Sequence, residues 1–344
     1  MRLSDATLAL DGLMAAYFFT DTAYQYTWSK IEVHQTLLKD EVRMRAFEAA
    51  IRESVKPGDR VLDVGTGTGI LAMLAAKAGA GSVIGVEPAE IIEVARSVAK
   101  NNGLSNVEFV RADIRDLKMP PVDCIICELI GMRLTDEGLT YKVANARRLL
   151  KPGGRIMPER IDVYLVPVES KDVGLGFFGS IHGIDYSSVG RFPKEVRNCD
   201  MGRCRYLAKP VKVFTIDLEN GIQHSVLSSQ SSVFSFGREQ RTANRKPETV
   251  NREPETENRK LDYSGEFVME SEGEFHGFVM YWEARLSENV TLSTDPKKPL
   301  THWKHMFLQS GGRTAVEKGD TLKVHLKAVL KDTQWRWEYL LDKS

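Results

Sequence analysis

Three things are scarce in this chain, and each scarcity removes a class of protein. Net charge is absent: 47 Lys plus Arg face 47 Asp plus Glu, and the balance holds on each side of Met157, with 20 basic and 20 acidic residues before it and 27 of each after. Binding along a phosphate backbone draws on net positive surface, so nucleic acid is excluded as the main direct partner. Long apolar runs are also missing. None approaches the roughly 20 residues that cross a bilayer, so no membrane partner is expected. The first 20 residues carry Asp5 and Asp11 and no basic segment ahead of an apolar one. No secretory signal is read there, and the expected location is cytoplasmic. Cysteine is the third: only Cys124, Cys127, Cys199 and Cys204 occur. The first two stand three apart in an apolar strand-like run, where they face opposite sides, whereas zinc needs thiolates converging on one point. They read as buried or idle thiols, and no metal is expected.

Hydrophobic residues, at 42%, are not scarce. Disorder as the main state is excluded, and at about 150 residues per domain the length corresponds to roughly two cores. Residues 1–56 read as helical, with Leu37, Leu38, Val42 and Phe47 at mixed three- and four-residue spacings and a stop at Lys56-Pro57-Gly58, a segment placed to close the site that follows. Beyond it the period changes. Short apolar strands at 60–64, 82–86, 107–110 and 123–127 alternate with helical stretches at 70–78 and 90–101. That alternation predicts an α/β fold, a doubly wound parallel sheet of Rossmann-like type, over 57–157. After Lys151-Pro152-Gly153-Gly154 the readable elements are alternating strands, at 161–168, 211–218, 278–286 and 321–329. They predict an antiparallel β domain, a barrel or sandwich, over 158–344. Inside it, residues 173–208 are irregular, with Gly and aromatics and then a basic run, and read as an excursion from the β domain. Residues 238–260 hold a near-repeat, Asn244-Arg-Lys-Pro-Glu-Thr-Val250 and Asn251-Arg-Glu-Pro-Glu-Thr-Glu257, almost without apolar content. Such a stretch cannot offset its ordering entropy and reads as a disordered loop between two strands.

The chemistry begins at Asp63-Val64-Gly65-Thr66-Gly67-Thr68-Gly69, directly after a strand and before a helix. Glycines there let the backbone approach a ligand and take positive φ. A dinucleotide fingerprint wants a further glycine three positions after Gly67, and Ile70 stands there. The spacing therefore favours a different nucleoside over a nicotinamide cofactor. Glu87 ends the second strand, where a carboxylate accepts both ribose hydroxyls. Asp63, Gly65, Gly67, Gly69 and Glu87 together point to S-adenosylmethionine. At the end of the fourth strand stands Glu128, beside the place a transferred methyl would occupy, with Glu137 nine residues on, and much later comes the loop Thr301-His302-Trp303.

With these motifs in order, the chain resembles the protein arginine methyltransferases from about Tyr24 onward. The resemblance is carried by His34-Gln-Thr-Leu-Leu-Lys-Asp40-Glu-Val-Arg43, the glycine turn, Glu87, the glutamates at 128 and 137, and Thr301-His302-Trp303. It implies a methyltransferase domain joined to a β-barrel, with an arginine-containing protein as substrate lying between them and a homodimer as the assembly. It further implies that Arg43 clamps the methionine carboxylate, that His34 lines the methionine end, that Asp113 lies beside the adenine, and that 173–208 is a shortened dimerisation arm. The chain departs from the family at Trp28, where a tyrosine is usual, and at Leu37 and Leu139, where methionines flank the acceptor. It also departs at Met132, Arg133 and Asp136 in the glutamate loop. Arg133 is an internal cation able to occupy the two carboxylates.

The chemistry accounts for the glutamates without the family. A guanidinium stays protonated at ordinary pH, so its nitrogens are poor nucleophiles. Two carboxylates draw the positive charge onto the nitrogens they bind, leave the remaining one more available, and hold it in line with the methyl. His302, paired with Asp40, is placed to accept the proton that leaves. The expected activity is S-adenosylmethionine-dependent methylation of protein arginine. A same-fold enzyme acting on lysine, an amine or a guanidino metabolite, and a non-catalytic S-adenosylmethionine-binding protein, are the alternatives.

Overall fold

The computed structural model describes residues 26–134, 137–170, 180–186, 196–220, 223–226, 260–329 and 334–342. Two helices come first, α1 (Ile31–Lys39) and α2 (Glu41–Ser54). The buried positions of α2 are Arg43, Phe47, Ala50 and Ile51. Their spacing makes one stripe that faces the core, and it opens on an arginine where a hydrophobe would be expected. Asp40 caps this helix, its side chain accepting the Arg43 N–H at 2.9 Å.

Then come β1 (Arg60–Val64), α3 (Ile70–Lys77), β2 (Ser82–Val86), α4 (Ile92–Asn101), β3 (Val107–Val110), β4 (Val122–Ile126), α5 (Leu139–Arg147) and β5 (Leu150–Met157). The five strands form one parallel sheet in the order β3-β2-β1-β4-β5. Helices cover its faces, so its central strands are buried on both sides, as the continuous apolar runs required. Cys124 and Cys127 lie in that interior, wholly buried, and burial pushes the Cys124 thiol up to about 12. The Lys151-Pro152-Gly153-Gly154 sequence, which reads as a break, lies within β5. A proline is tolerated because β5 is the edge of its sheet, where a missing N–H costs no ladder bond.

The second half is antiparallel. Its strands are β6 (Arg160–Glu169), β7 (Ser180–Ile181), β8 (Ile184–Asp185), β9 (Val196–Cys199), β10 (Arg205–Tyr206), β11 (Val211–Asp217) and β12 (Gln223–Val226), followed by β13 (Lys260–Val268), β14 (Gly273–Arg285), β15 (Thr291–Ser293), β16 (His305–Val316), β17 (Thr321–Val329) and β18 (Gln334–Asp342). One sheet runs β12-β11-β6-β14-β16-β9, with β10 on β6 and β15 on β14; a second runs β13-β17-β18. The two sheets share a core in which the Phe267 and Phe278 rings lie 5.6 Å apart.

The excursion expected at 173–208 needs correcting. Residues 180–185 form a small hairpin of their own, but β9 and β10 pair with β16 and β6 and belong to the main sheet. Residues 171–179 and 187–195 lie outside the described residues, as do 1–25 and, of the loop expected at 238–260, all but Lys260. Trp303 joins the halves. Its indole is 2% exposed, sits edge-on to Trp282 at 4.9 Å, and donates from Nε1 to the Ile130 carbonyl at 2.5 Å.

Candidate active site

In the sheet order, β1 stands between β2 and β4, so the connections leave it toward opposite faces. That switch point opens a crevice at the strand C-terminal ends, the place where α/β sheets bind ligands. A cleft of about 620 Å³, open to solvent, occupies it.

The glycine turn forms one wall. The N–H groups of Gly65 and Thr66 both donate to the Val86 carbonyl, at 2.9 and 3.1 Å, which ties the turn to β2. Asp63, 1% exposed, accepts from the Thr66 hydroxyl at 2.6 Å and from the Ala72 N–H at 3.1 Å, so it fixes the turn onto the start of α3. Burial raises its pKa to about 6 against those hydrogen bonds. Gly67 has φ +53, and a Cβ there would stand 3.0 Å from His34 Cε1. His34 is buried, and its Nε2–H donates to the Trp28 carbonyl at 2.8 Å. Burial lowers its pKa and Arg43 adds to that, while the bond to the Trp28 carbonyl opposes it. At the far end Glu87 is 2% exposed and accepts the Ala89 N–H at 2.9 Å. Burial raises its pKa, while Ala89 and Lys142 oppose the rise.

Two further glutamates line the same cleft. Glu128 accepts from Arg43 on one oxygen, Oε2, at 2.9 Å from Nε and 2.5 Å from Nη2, and from the Ile130 N–H on Oε1 at 3.2 Å. The pair is almost wholly enclosed, with side chains 6% and 7% exposed. Glu137 lines the cleft from the turn before α5. Across from it, Asp40 Oδ2 accepts both the backbone N–H and the ring Nδ1–H of His302, each at 2.8 Å. One carboxylate thus caps α2 and pins the Thr301-His302-Trp303 loop.

The fold brings His34, Arg43, Asp63, Gly65, Gly67, Glu87, Glu128, Glu137 and His302 to this cleft. Asp40 acts from behind His302, and Gly69 serves the turn, its φ +81 starting α3. Asp113 is not among the residues that line the cleft; its carboxylate accepts from Arg115 two residues away, at 2.9 and 3.0 Å. Arg43 lines the cleft with its guanidinium on Glu128. The internal cation on that carboxylate is Arg43, whereas Arg133 is exposed on the loop and Asp136 lies outside the described residues. The hydroxyl-bearing Thr66 and Thr68 line the cleft as well, and nothing in the residue pattern singled them out.

Residues 55–173 match a family model described as a methyltransferase domain, and residues 159–339, over half of the chain, match that of an arginine methyltransferase oligomerization subdomain. The chain is 31% identical over 319 residues to protein arginine N-methyltransferase 6 of Xenopus tropicalis, covering 87% of this chain and 84% of that one. It belongs to the protein arginine N-methyltransferase family. Protein arginine N-methyltransferase 1 of Dictyostelium discoideum is 26% identical over 332 residues, covering 92% and 86%. Among solved structures the fold matches Arabidopsis thaliana protein arginine methyltransferase 10, with TM-score 0.72, 23% identity and coverage of 92% of this chain and 94% of that one. It also matches the Trypanosoma brucei PRMT1 enzyme-prozyme heterotetrameric complex with AdoHcy, with TM-score 0.70, 19% identity and coverage of 92% and 100%. Against the family pattern, Trp28 and Leu37 stand in the cleft wall and Leu139 is buried at the start of α5.

Asp40 carries a pH signature. Burial pulls its carboxyl up, but the bonds from the His302 ring, the Arg43 N–H and the His302 N–H outweigh burial and hold it below its ordinary value of 3.8. A carboxyl depressed by folding supplies stability that is complete above the ordinary value and lost as pH falls through the folded one. Asp40→Asn is therefore expected to melt earlier at neutral pH, by about 1.5–3 kcal/mol for a bond to a charged group. The gap between variant and wild type should close as the pH drops below the carboxylate range. Parallel melting series across pH check this; a gap of constant size would mean the charge of Asp40 contributes nothing.

Proposed function

We propose that this chain transfers the methyl of S-adenosylmethionine to a guanidino nitrogen of arginine in proteins. The observation that carries the reading is the placement of Glu128 and Glu137 in the cleft that the glycine turn lines.

The residues fit the cofactor. A Cβ at Gly65 would stand 2.5 Å from Leu129 and one at Gly67 3.0 Å from His34, so no side chain fits at either position and the turn lines the cleft with bare backbone. Glu87 presents a buried carboxylate at the nucleoside end and Arg43 a guanidinium at the opposite end. When bound, the cofactor supplies a methyl group on a sulfonium, ready for displacement. The chain's own groups do the rest. Gly65 to Gly69 and Glu87 position the nucleoside. Arg43 carries five N–H donors; Nε and one on Nη2 go to Glu128 and Nη1 donates to the Leu37 carbonyl at 3.4 Å and the Met44 sulfur at 3.3 Å, so the second Nη2–H is the one left for a ligand carboxylate while Glu128 stays in place. Glu128 retains a lone pair on Oε1 beyond the Ile130 N–H, and with Glu137 it concentrates the acceptor's charge on two nitrogens. The third is left as the nucleophile. His302, its Nδ1–H fixed on Asp40, has Nε2 as the atom that takes up the departing proton.

The oligomerization subdomain match supports assembly of this chain with other copies, and a homodimer is the form we propose. Incubating the full chain with methyl-labelled cofactor and arginine-rich peptides tests the acceptor. Label on arginine, located by mass spectrometry, is the expected result; label on lysine or a small amine with none on arginine would overturn it.

A further inference from the structure

Asn198 has no part in the site described so far. It lies on β9, the end strand of the main antiparallel sheet, opposite Met306 of β16. Its side-chain Nδ2 donates to the Met132 carbonyl at 2.7 Å and, more weakly, to the Trp303 carbonyl at 3.4 Å. With a carbonyl oxygen at both contacts the amide can be turned only one way, since its own oxygen would oppose them. One amide thus spans two loops: Met132 belongs to the segment between Glu128 and Glu137, and Trp303 directly follows His302. The first of these loops needs such a hold. Gly131 to Leu134 is a turn, closed by the Leu134 N–H on the Gly131 carbonyl at 2.9 Å. Leu134 is wholly buried with φ +75, a left-handed conformation that a leucine keeps only where its surroundings fix it. The Trp303 indole holds the entrance of the turn at the Ile130 carbonyl, and Asn198 holds the central peptide, between Met132 and Arg133. Glu137 comes three residues after the turn ends, so the direction in which the chain leaves toward it depends on these contacts from the β half.

We propose that Asn198 is a positioning residue of the acceptor site, clasping the turn between Glu128 and Glu137 to the loop of His302 so that both carboxylates and the imidazole meet one acceptor group as a set. The inference rests on the acceptor roles given to those three residues above. Transfer requires the acceptor nitrogen to be held in line with the methyl, and a displacement of about 1 Å can cost roughly 10²-fold in rate. Nucleoside binding draws on other elements. The glycine turn follows β1 and is tied to β2, and Glu87 follows β2. Asn198 therefore governs transfer and leaves the nucleoside contacts alone.

The test uses the full chain, an arginine-rich peptide as acceptor and S-adenosylhomocysteine as the probe of the nucleoside contacts. Asn198→Ala removes both donated bonds. Asn198→Asp keeps the shape of the side chain but sets a carboxylate oxygen against the Met132 carbonyl. In the alanine variant kcat should fall about tenfold, the loss that one hydrogen bond of ordinary strength can account for. It should fall further in the aspartate variant, and Asn198→His, which presents an Nδ1–H near the place of the amide, should recover part of the rate. Calorimetric affinity for S-adenosylhomocysteine should stay within a few fold in all three. A residue that only filled space would give the reverse order, with aspartate close to wild type and alanine worst. That order, wild-type kcat in Asn198→Ala, or a loss of S-adenosylhomocysteine affinity equal to the loss of kcat would overturn the proposal. Should the aspartate variant fail to fold, the alanine and histidine variants decide between the two roles. Hydrogen exchange at the Leu134 N–H, expected to quicken in Asn198→Ala, reads the clasp without any acceptor. If wild type methylates no arginine, the acceptor reading fails, while the exchange rate still decides whether Asn198 holds the turn.

Discussion

Glu128→Gln is expected to lower kcat for methyl transfer by roughly 10²–10³, the loss typical of one removed group that stabilises developing charge. The variant keeps the shape of the side chain and a carbonyl oxygen for the Arg43 Nε and Nη2 donors, so the enclosed guanidinium is not stripped of its acceptor. What disappears is the negative charge that draws an acceptor's positive charge onto the bound nitrogens. Cofactor affinity should change by only a few fold, because the glycine turn and Glu87 are untouched. Steady-state kinetics together with calorimetry separate the two effects. An equal fall in cofactor affinity would show that Glu128 acts mainly by orienting Arg43, and the proposed division of the cleft into a cofactor part and an acceptor part would fail.

The second large effect is expected at Gly67→Val. The residue has φ +53, a region in which a β-branched side chain is strained by about 1–2 kcal/mol or more before any contact is considered. Its Cβ would meet His34 Cε1 at 3.0 Å and Nδ1 at 3.2 Å. His34 cannot simply swing aside, being held through Nε2 on the Trp28 carbonyl. Both the turn and the helix that closes it must shift, and the nucleoside loses its backbone cradle. Binding of S-adenosylhomocysteine should drop by at least about 10²-fold, equivalent to roughly 2.7 kcal/mol, while the fold survives because Gly67 faces the cleft and not the core. Near-normal affinity in a folded Gly67→Val would mean that the ligand does not lie against this turn.

The parts of the fold visible in the residue pattern are those where local and tertiary signals agree. Strands β1, β2 and β4 announce themselves because strands inside a parallel sheet are largely apolar, and the edge strand β3 does so as a short run, Val107–Val110. β5 is hidden because Pro152, Gly153 and Gly154 look like a stop, and only its place at the sheet edge makes them acceptable. β9 is hidden for a related reason: an edge strand carrying Arg197 and Asn198 has no alternation to read, and its membership is decided by pairing with β16. The candidate site shows the same division. Glu87, Glu128 and the glycine turn follow from position at strand ends, and the Asp40 contact to His302 is realised as a pair of hydrogen bonds. The Arg43 contact to Glu128 spans 85 residues, and no local pattern announces it.

The bond from the Trp303 indole to Ile130 joins residues 173 positions apart, and that from His302 to Asp40 joins residues 262 apart. During synthesis, which proceeds from the N-terminus, domains fold as units in the order they emerge. The nucleoside-binding half is complete as a folding unit by Met157, yet the backbone beyond Glu128 is left without its indole anchor and Asp40 without His302. The nascent protein therefore passes through a stage in which it can hold a nucleoside but has no finished place for an acceptor, and catalytic competence arrives late, once the residues after Leu300 have emerged.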